Sequence, residues 1–240
     1  MKRKKTIPLL SVAVALLLLT ACASRRYDGA DMTKAMVVKD KAFRHYLSER
    51  GYAVYVGGAL TGRRMMAPTA VGRQIRTLNC YRQGIHSLEG IAMFGQLDEL
   101  VCSENPIEWL DLSSLPHLKS LTAMEVPLHY IDVSRCPVLE TLELSESMLD
   151  SIDVSHNGEL RSLMCIFNPK ITTIDLSGND KLNTLYIRAT SIRVLDLSHN
   201  ASMSRVHATD TPVDTVWLSP LQDVGNLEVW VDDTIAILKR

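Results

Sequence analysis

The sequence predicts a mostly β solenoid, a coil of short parallel strands stacked turn upon turn. The first observation is an aliphatic frame, L-x-x-L-x-L/C, that recurs eight times at intervals of 21 or 22 residues. A unit this short cannot bury its leucines alone, so a constant interval indicates repeats that share one core with their neighbours. The frames start at Ile75, Leu97, Leu118, Leu139, Leu160, Leu182, Met203 and Val224.

The second observation is a companion frame about ten residues further on, for example Leu110-Asp111-Leu112-Ser113 and Leu195-Asp196-Leu197-Ser198. In an extended chain, alternate side chains point to the same side, so both frames can direct their aliphatic residues inward. Each coil is therefore expected to contain two extended segments. Segments of successive coils would pair in parallel at a spacing of about 4.8 Å.

The combined pattern, L-x-x-L-x-L/C-x-x-N-x-L-x-x-L-D-L-S, resembles leucine-rich repeats of the short form found in surface lipoproteins of Bacteroidetes. The likeness covers residues 75–231. It implies an α/β-type solenoid, mostly β and wound as a right-handed coil, that recognises a macromolecular partner without catalysis. The ninth-position asparagine of the pattern is kept at Asn105 and Asn168, where it would satisfy backbone groups of the turn. Where Val126 replaces it, the turn needs other partners.

The first 21 residues predict a lipoprotein signal peptide. A basic start precedes an apolar run, Ile7 to Leu19, that is too short to span a bilayer comfortably. Leu19-Thr20-Ala21-Cys22 then fits the bacterial lipobox, so the resemblance implies that Cys22 carries the lipid, palmitate included, that anchors the protein. Because Ala23 and not Asp follows the cysteine, the resemblance favours the outer membrane of the cell envelope. Display on its periplasmic or outer face is left open.

The domain organisation follows from these boundaries. Residues 22–38 predict a tether and residues 39–74 an N-terminal cap, with a helix behind Asp40 that carries Phe43, Tyr46 and Leu47 on one face. Residues 75–240 predict the repeats and a C-terminal cap. Caps are expected because a bare solenoid end would expose core leucines to water.

The charge balance argues against nucleic acid as a partner. Residues 23–74 hold 10 basic and 4 acidic side chains, whereas residues 75–240 hold 12 basic and 23 acidic ones. Nucleic-acid affinity comes largely from Lys and Arg that neutralise phosphates, and the repeats have the opposite charge. A protein partner is the expectation, while its identity and the oligomeric state of this chain are not predicted.

The cysteines of the repeats predict buried thiols. Cys80, Cys102 and Cys165 stand at the sixth position of their units, where other units place aliphatic residues. Cys80 and Cys102 belong to neighbouring units, so a disulfide between them is an open alternative, although parallel strands in register give it poor geometry.

No catalytic residue, metal site or cofactor is predicted. An aspartate column two residues before a serine column fits turn hydrogen bonds better than a cation site, because ligands in a flat column diverge. The motif Asp-x-Ser-His, at Asp153–His156 and Asp196–His199, resembles a hydrolase triad only in composition, since consecutive strand residues are expected to point apart. The aspartates are Asp111, Asp132, Asp153, Asp175 and Asp196.

The candidate partner-binding residues lie on the outward positions of the first strand in each unit. Two neighbouring units bring apolar, aromatic and arginine side chains together, a composition that marks many interfaces. These candidates are Met164, Ile166, Phe167, Tyr186, Arg188 and His207.

A second face offers an alternative. Trp109 and Tyr130 stand at the same repeat position in adjacent units, so they are expected to stack. Such a pair suits a glycan-binding surface lipoprotein, although it would also stabilise the ladder of a structural envelope protein.

Overall fold

A computed structural model of the chain describes residues 29–56, 65–232 and 236–239. The predicted signal peptide and Cys22 lie outside these ranges. The regular elements, in chain order, are β1 (Met36–Val37), α1 (Lys41–Glu49), β2 (Ala53–Tyr55), β3 (Met65–Pro68), β4 (Thr77–Asn79), β5 (Glu99–Val101), β6 (Ser120–Thr122), β7 (Thr141–Glu143), β8 (Ser162–Met164), β9 (Thr184–Tyr186), β10 (Val194–Leu197), β11 (Arg205–His207), β12 (Thr215–Leu218), β13 (Glu228–Trp230) and β14 (Ala236–Lys239). Short 3-10 helices cover Met32–Lys34, Gly72–Gln74, Ile91–Phe94 and Val224–Asn226.

The repeats build one eight-stranded parallel sheet in the order β13-β11-β9-β8-β7-β6-β5-β4. The middle residue of each strand is aliphatic, and from Leu78 in β4 to Val206 in β11 it is buried. The flanking residues of each strand face outward and pair in register with the same positions of the next coil. The predicted solenoid of stacked parallel strands is therefore confirmed.

The last coil departs from the predicted frame. The sequence frame begins at Val224, but that residue starts a 3-10 helix whose N-cap, Asp223, accepts a hydrogen bond from the Gly225 N–H at 2.9 Å. Strand β13 consequently starts late and pairs Glu228 with Arg205. The expected interval of 21 residues was wrong because alternating aliphatic residues fit two frames equally well, and only the strand pairing selects one.

The second side of the coil forms a ladder only near the C-terminal end of the described chain. There β10, β12 and β14 pair in parallel. In the earlier coils the companion frame forms no strand. Its leucines, such as Leu110 and Leu112, are nevertheless buried as expected.

The N-terminal cap consists of α1 packed with the antiparallel sheet β1-β3-β2. Asp40 caps the helix by accepting from the Phe43 N–H at 2.7 Å, and it also accepts from the His86 N–H at 3.0 Å. The Tyr46 hydroxyl donates to the Asn79 carbonyl at 2.7 Å. These bonds join the cap to the first coil. Strand β1 lies within the stretch predicted as a tether, so the cap begins earlier than residue 39.

Buried asparagines close the turns after the main strands. The Asn168 amide donates to the carbonyls of Leu144, Cys165 and Ile166, and its oxygen accepts from the Leu149 N–H. Asn105 makes the equivalent bonds in its coil. Where Val126 replaces asparagine, β6 still pairs on both sides, so this coil closes without the amide.

A second asparagine ladder lies where the sequence pattern did not predict one. Asn157, Asn179 and Asn200 are fully buried on the far side of the coil, and each amide donates to two backbone carbonyls of the preceding coil. Cys136 occupies the same column one coil earlier, and its Sγ lies 3.7 Å from the Leu115 carbonyl oxygen. The sequence does contain a signal for this ladder, because an asparagine recurs three residues after the end of each Ile-Asp-Val, Ile-Asp-Leu or Leu-Asp-Leu frame in these coils.

The four described cysteines are free and buried. Burial raises the pKa of Cys80 and Cys165 to about 12 and that of Cys136 to about 11, and it raises the pKa of Cys102 as well. The core location of Cys80, Cys102 and Cys165 is therefore confirmed, and Cys80 and Cys102 are not bridged in this structure.

Within the described ranges no helix has both the length and the apolar character that a bilayer crossing requires. The longest, α1, has 9 residues.

Candidate functional site

The edge of the main strand face is shaped by a left-handed backbone position that recurs in seven consecutive coils. Three residues after each strand, a residue other than glycine has φ between 52° and 56°. Its N–H donates to the next coil, as the Phe167 N–H does to the Arg188 carbonyl at 2.9 Å. The chain turns sharply there, which leaves these side chains along the rim of the strand face. They are Arg82, Glu104, Glu125, Glu146, Phe167, Ala189 and Asp210.

A row of four residues crosses the C-terminal half of this face. Met164, Tyr186, His207 and Trp230 pair in register on neighbouring strands. The Tyr186 and His207 rings meet edge to face, with centroids 5.6 Å apart. The His207 and Trp230 rings are 5.7 Å apart and tilted. Such contacts between rings stabilise the row.

Phe167 and Arg188 form the rim beside this row. The guanidinium carbon of Arg188 lies 5.0 Å from the Phe167 ring centroid, and its Nε donates to Asp210 Oδ2 at 2.7 Å. Asp210 thereby orients the guanidinium over the aromatic face, where a cation is attracted to the ring. The Phe167 side chain remains 43% exposed, so it is not folded into the core.

The six predicted binding residues are thus brought together on one face. Ile166 is half-buried beside Arg188, on the same outward column. The sequence did not predict Trp230 as a neighbour of His207. The frame that begins at Val224 would pair His207 with Glu228, whereas β13 is shifted by two residues and pairs it with Trp230. We call the set the strand-face patch: Met164, Ile166, Phe167, Tyr186, Arg188, His207 and Trp230.

The N-terminal half of the same face is acidic. Glu104, Glu125 and Glu146 stand on its rim, where Glu104 accepts from the Tyr81 hydroxyl and lies 3.4 Å from the Arg82 Nε. Glu143 lies in the central row next to Met164 and is 9% exposed. Its Oε1 accepts from the Ser145 N–H at 3.1 Å. Burial raises the pKa of Glu143 above its ordinary value.

Trp109 and Tyr130 do not stack as expected. They are 64% and 62% exposed, and the described residues show no ring contact between them. The expectation failed because this part of the second side lacks a strand ladder, so backbone pairing does not set the spacing of the rings. Instead both line a cleft of about 180 Å³ with Asp132 and Arg135. Trp109 also walls a cleft of about 380 Å³ against the cap residue Lys39.

The aspartate column makes turn hydrogen bonds, as predicted. In each coil the carboxylate accepts from the backbone N–H of the serine two residues later, at 2.9 to 3.0 Å. The side chain and backbone of the following serine hold the pKa of Asp132 and Asp175 below the ordinary value. Over the described residues, no group of three or more His, Cys, Asp or Glu side chains is placed to hold a metal ion.

The Asp-x-Ser-His motifs do not form a triad. The Ser155 hydroxyl contacts His156 Nδ1 at 3.1 Å, and Ser198 contacts His199 in the same way at 3.2 Å. The expectation that these neighbours point apart was wrong, because they occupy a turn and not a strand. The Asp153 carboxylate nevertheless accepts from the Ser155 backbone N–H, so it does not form the carboxylate–imidazole bond that a triad requires.

No family model matches this sequence, and no curated protein matches it. Similar solved structures do exist. An internalin C2 from Listeria monocytogenes str. 4b F2365 superimposes with a TM-score of 0.62 at 21% identity, over 82% of this chain and 95% of that chain. The functional domain of InlJ from Listeria monocytogenes, which includes a cysteine ladder, gives a TM-score of 0.50 at 29% identity.

That InlJ likeness covers 68% of this chain and 40% of the other, so this chain spans about two fifths of the InlJ chain it matches. A chain of the LRIM1/APL1C complex gives a TM-score of 0.58 at 19% identity, over 69% of this chain and 32% of that one. The in-register strands, the asparagine-closed turns and these likenesses establish one architecture. The protein has the leucine-rich-repeat fold.

Proposed function

We propose that this protein is a noncatalytic recognition module that binds a protein partner on the strand-face patch. The observation that carries the proposal is the aromatic row Tyr186–His207–Trp230, flanked by the Phe167–Arg188 pair. Aromatic residues and arginine dominate the binding energy of known interfaces. Contacts between the rings, and between Arg188 and Asp210, hold these side chains in place, so binding would cost little conformational entropy.

Two structural relatives support a protein as the ligand. One is a chain of the LRIM1/APL1C complex, so a chain of similar fold occurs in an assembly of two proteins. The internalin likeness places the same fold in bacteria. Neither likeness identifies the partner of this chain, so the assignment rests mainly on the patch itself.

Site-specific crosslinking tests the proposal. A photo-crosslinking amino acid at Thr209, on the strand face, should capture a partner protein, and the same probe at Thr173 on the opposite face should not. Capture at Thr209 should be lost in Tyr186→Ala and Trp230→Ala, which alter only the partly exposed strand face. Capture that persists in both variants, or that is equal at Thr173, contradicts the proposal.

We further propose that a lipid on Cys22 holds the protein in a cell-envelope membrane, most consistent with the outer membrane. The lipobox Leu19-Thr20-Ala21-Cys22 after a short apolar run supports this. The wild-type chain should incorporate an alkyne-tagged fatty acid and fractionate with membranes, whereas Cys22→Ser should do neither. Membrane retention of an unlabelled Cys22→Ser protein would refute the anchor.

A glycan is the second candidate ligand, supported by the two clefts that share Trp109. An exposed indole beside carboxylate and arginine groups offers a flat apolar surface with hydrogen-bond partners, which sugar rings require. Titrating the protein against a glycan panel should change tryptophan fluorescence in wild type but not in Trp109→Phe. A response that survives in that variant assigns the signal to another tryptophan and removes this candidate.

A further inference from the structure

The strand face is divided into two halves of different chemistry, and Glu143 lies at the boundary. On the N-terminal side the outward positions of three coils carry acids and no basic residue: Glu104, Glu125 and Glu146 on the rim and Glu143 in the central row. On the C-terminal side the same central row becomes Met164 and then the aromatic residues. A partner that covers this boundary meets one carboxylate and one apolar surface side by side.

Glu143 differs from the other acids because it is nine-tenths buried. Its Oε1 accepts from the Ser145 N–H at 3.1 Å, and the Ser145 hydroxyl also stabilises the carboxylate, but no cation among the described residues pairs with it. The alternate residues Leu142 and Leu144 point into the core, so the carboxylate projects toward the outer strand face. Burying a carboxylate without a counter-ion costs stability, and buried acids of this kind are frequent in functional sites.

Over the described residues, Glu143 makes no ion pair, and no charged neighbour, the exposed Lys119 of the preceding coil included, contributes to the shift of its pKa. On β6 and β8 the outward neighbours are Thr122 and Met164. The rim contributes Glu125 and Glu146, and the buried Cys165 thiol lies behind the strand. Arg161, at the start of the β8 coil, pairs with Glu140 at 3.7 Å. The described residues around Glu143 therefore do not supply a counter-ion for it.

We propose that Glu143 is the recognition point for a lysine or arginine of the partner, whose flanking aromatic or apolar side chains rest on Met164 and Tyr186. This rests on the proposed function and adds the chemistry of the partner segment. The folded protein has already removed most water from the Glu143 carboxylate. Binding of an ammonium or guanidinium group therefore adds little further desolvation free energy for this acid. The acidic rim then favours approach of a basic segment and disfavours an acidic one.

The test uses a library of short peptides that combine one lysine with aromatic residues at varied spacing. A matched library carries acetyl-lysine at the same positions. The full chain, purified in detergent, should bind members of the first library and lose them on acetylation. Glu143→Gln should weaken the best peptide by about tenfold, the effect of losing one buried charge pair. Glu146→Gln, on the exposed rim, should change affinity far less.

Stability separates a recognition role from a structural one. Because burial raises the folded-state pKa of Glu143, its ionised form destabilises the fold, and Glu143→Gln should unfold at equal or higher temperature at neutral pH. That advantage should shrink as the pH falls through the raised pKa, since Glu143 then binds a proton in the folded state. Affinity of the wild type for the lysine peptide should fall over the same pH range.

Three results would overturn the inference. The first is that acetylated peptides bind as tightly as the lysine peptides, and the second is that the Glu143→Gln variant keeps the full affinity of the wild type. The third is that the wild type binds no peptide more tightly than the Tyr186→Ala variant does. Lysine-independent binding that Tyr186→Ala still abolishes would remove only the role of Glu143 and leave the proposed function standing. If Glu143→Gln changes the sedimentation of the protein without peptide, the acid contacts a second copy of this chain, and the proposal is wrong.

Discussion

Phe167 combines a bulky aromatic side chain with left-handed backbone, at φ 55°. That conformation costs a residue with a Cβ about 1–2 kcal/mol relative to its ordinary backbone, whereas glycine adopts it freely. The ring is only partly buried in return, since the residue stays 43% exposed. A strained position occupied by an exposed aromatic residue is explained better by contact with a partner than by folding.

Phe167→Gly should therefore separate binding from stability. The variant removes backbone strain together with the ring contact to Arg188, so its free energy of unfolding should stay within about 1 kcal/mol of wild type, while crosslinked capture at Thr209 is lost. Chemical denaturation measures the first quantity. Ala189→Gly, at φ 55° in the next coil, is the matched control and should keep capture. A large loss of stability in Phe167→Gly would show that the ring is structural.

At the scale of a turn, buried amides hold successive coils in register. The fully buried Asn168 side chain donates to three backbone carbonyls and accepts from one backbone N–H. The Thr190 hydroxyl satisfies one backbone group and the Thr211 hydroxyl two, whereas the Val126 side chain can satisfy none. The turn geometry is thus set by the repeat, and the number of satisfied backbone groups varies from coil to coil.

Asn168→Leu should destabilise the protein by about 3 kcal/mol or more, because several buried backbone groups lose their partners at about 1–3 kcal/mol each. Thermal or denaturant unfolding measures the loss. The control is Val126→Thr, whose new hydroxyl can donate to the Ala123 carbonyl as Thr190 does to Ile187, and which should change stability by less than about 1 kcal/mol. Similar losses in both variants would refute this account of the turns.

The cap is joined to the repeats through Asp40. One carboxylate oxygen caps the N-terminus of α1 by accepting from the Phe43 N–H. The other accepts from the His86 N–H of the first coil. Asp40→Ala should cost about 1–3 kcal/mol and should speed hydrogen exchange in α1 before the central strands are affected. Asp31→Ala is the comparison, because Asp31 caps the short helix Met32–Lys34 and pairs with Arg73 at 3.9 Å, both within the cap. Equal effects of the two changes would mean that Asp40 does not couple cap and coil.

Over the whole molecule the four buried thiols report on global unfolding. Their pKa values are raised mainly by burial, so they are protonated and inaccessible at neutral pH. Alkylation of Cys80, Cys102, Cys136 and Cys165 should be undetectable in the native protein and complete in denaturant, as mass spectrometry of the peptides can show. Labelling of Cys102 or Cys165 under native conditions would mean that the coils open locally.

The same thiols predict how the stability of the fold changes at alkaline pH. In the unfolded chain they ionise near about pH 8.5, but in the folded protein only at higher pH. Stability contributed by the neutral thiols is therefore complete below that value and is lost as the pH rises toward the folded-state pKa. Unfolding midpoints should fall above about pH 8.5, and Cys165→Ala should reduce that slope. An unchanged slope would contradict the assignment.

The sequence determined the coil, its period and its core, because aliphatic residues repeated at a fixed interval can be buried only by stacking. It also predicted α1 and Asn168, since a capped amphipathic helix and a buried amide at a turn are local necessities. It placed six residues of the strand-face patch on one face for the same reason.

Only the tertiary structure decided three features. Strand pairing chose the frame of β13 and brought Trp230 beside His207, where the alternating sequence allowed two frames. The lack of a ladder on the second side of the early coils left Trp109 and Tyr130 apart. Burial of Glu143 depended on neighbours from two adjoining coils. Each depends on contacts between coils, and a one-dimensional pattern carries no information on the depth or exact register of such contacts.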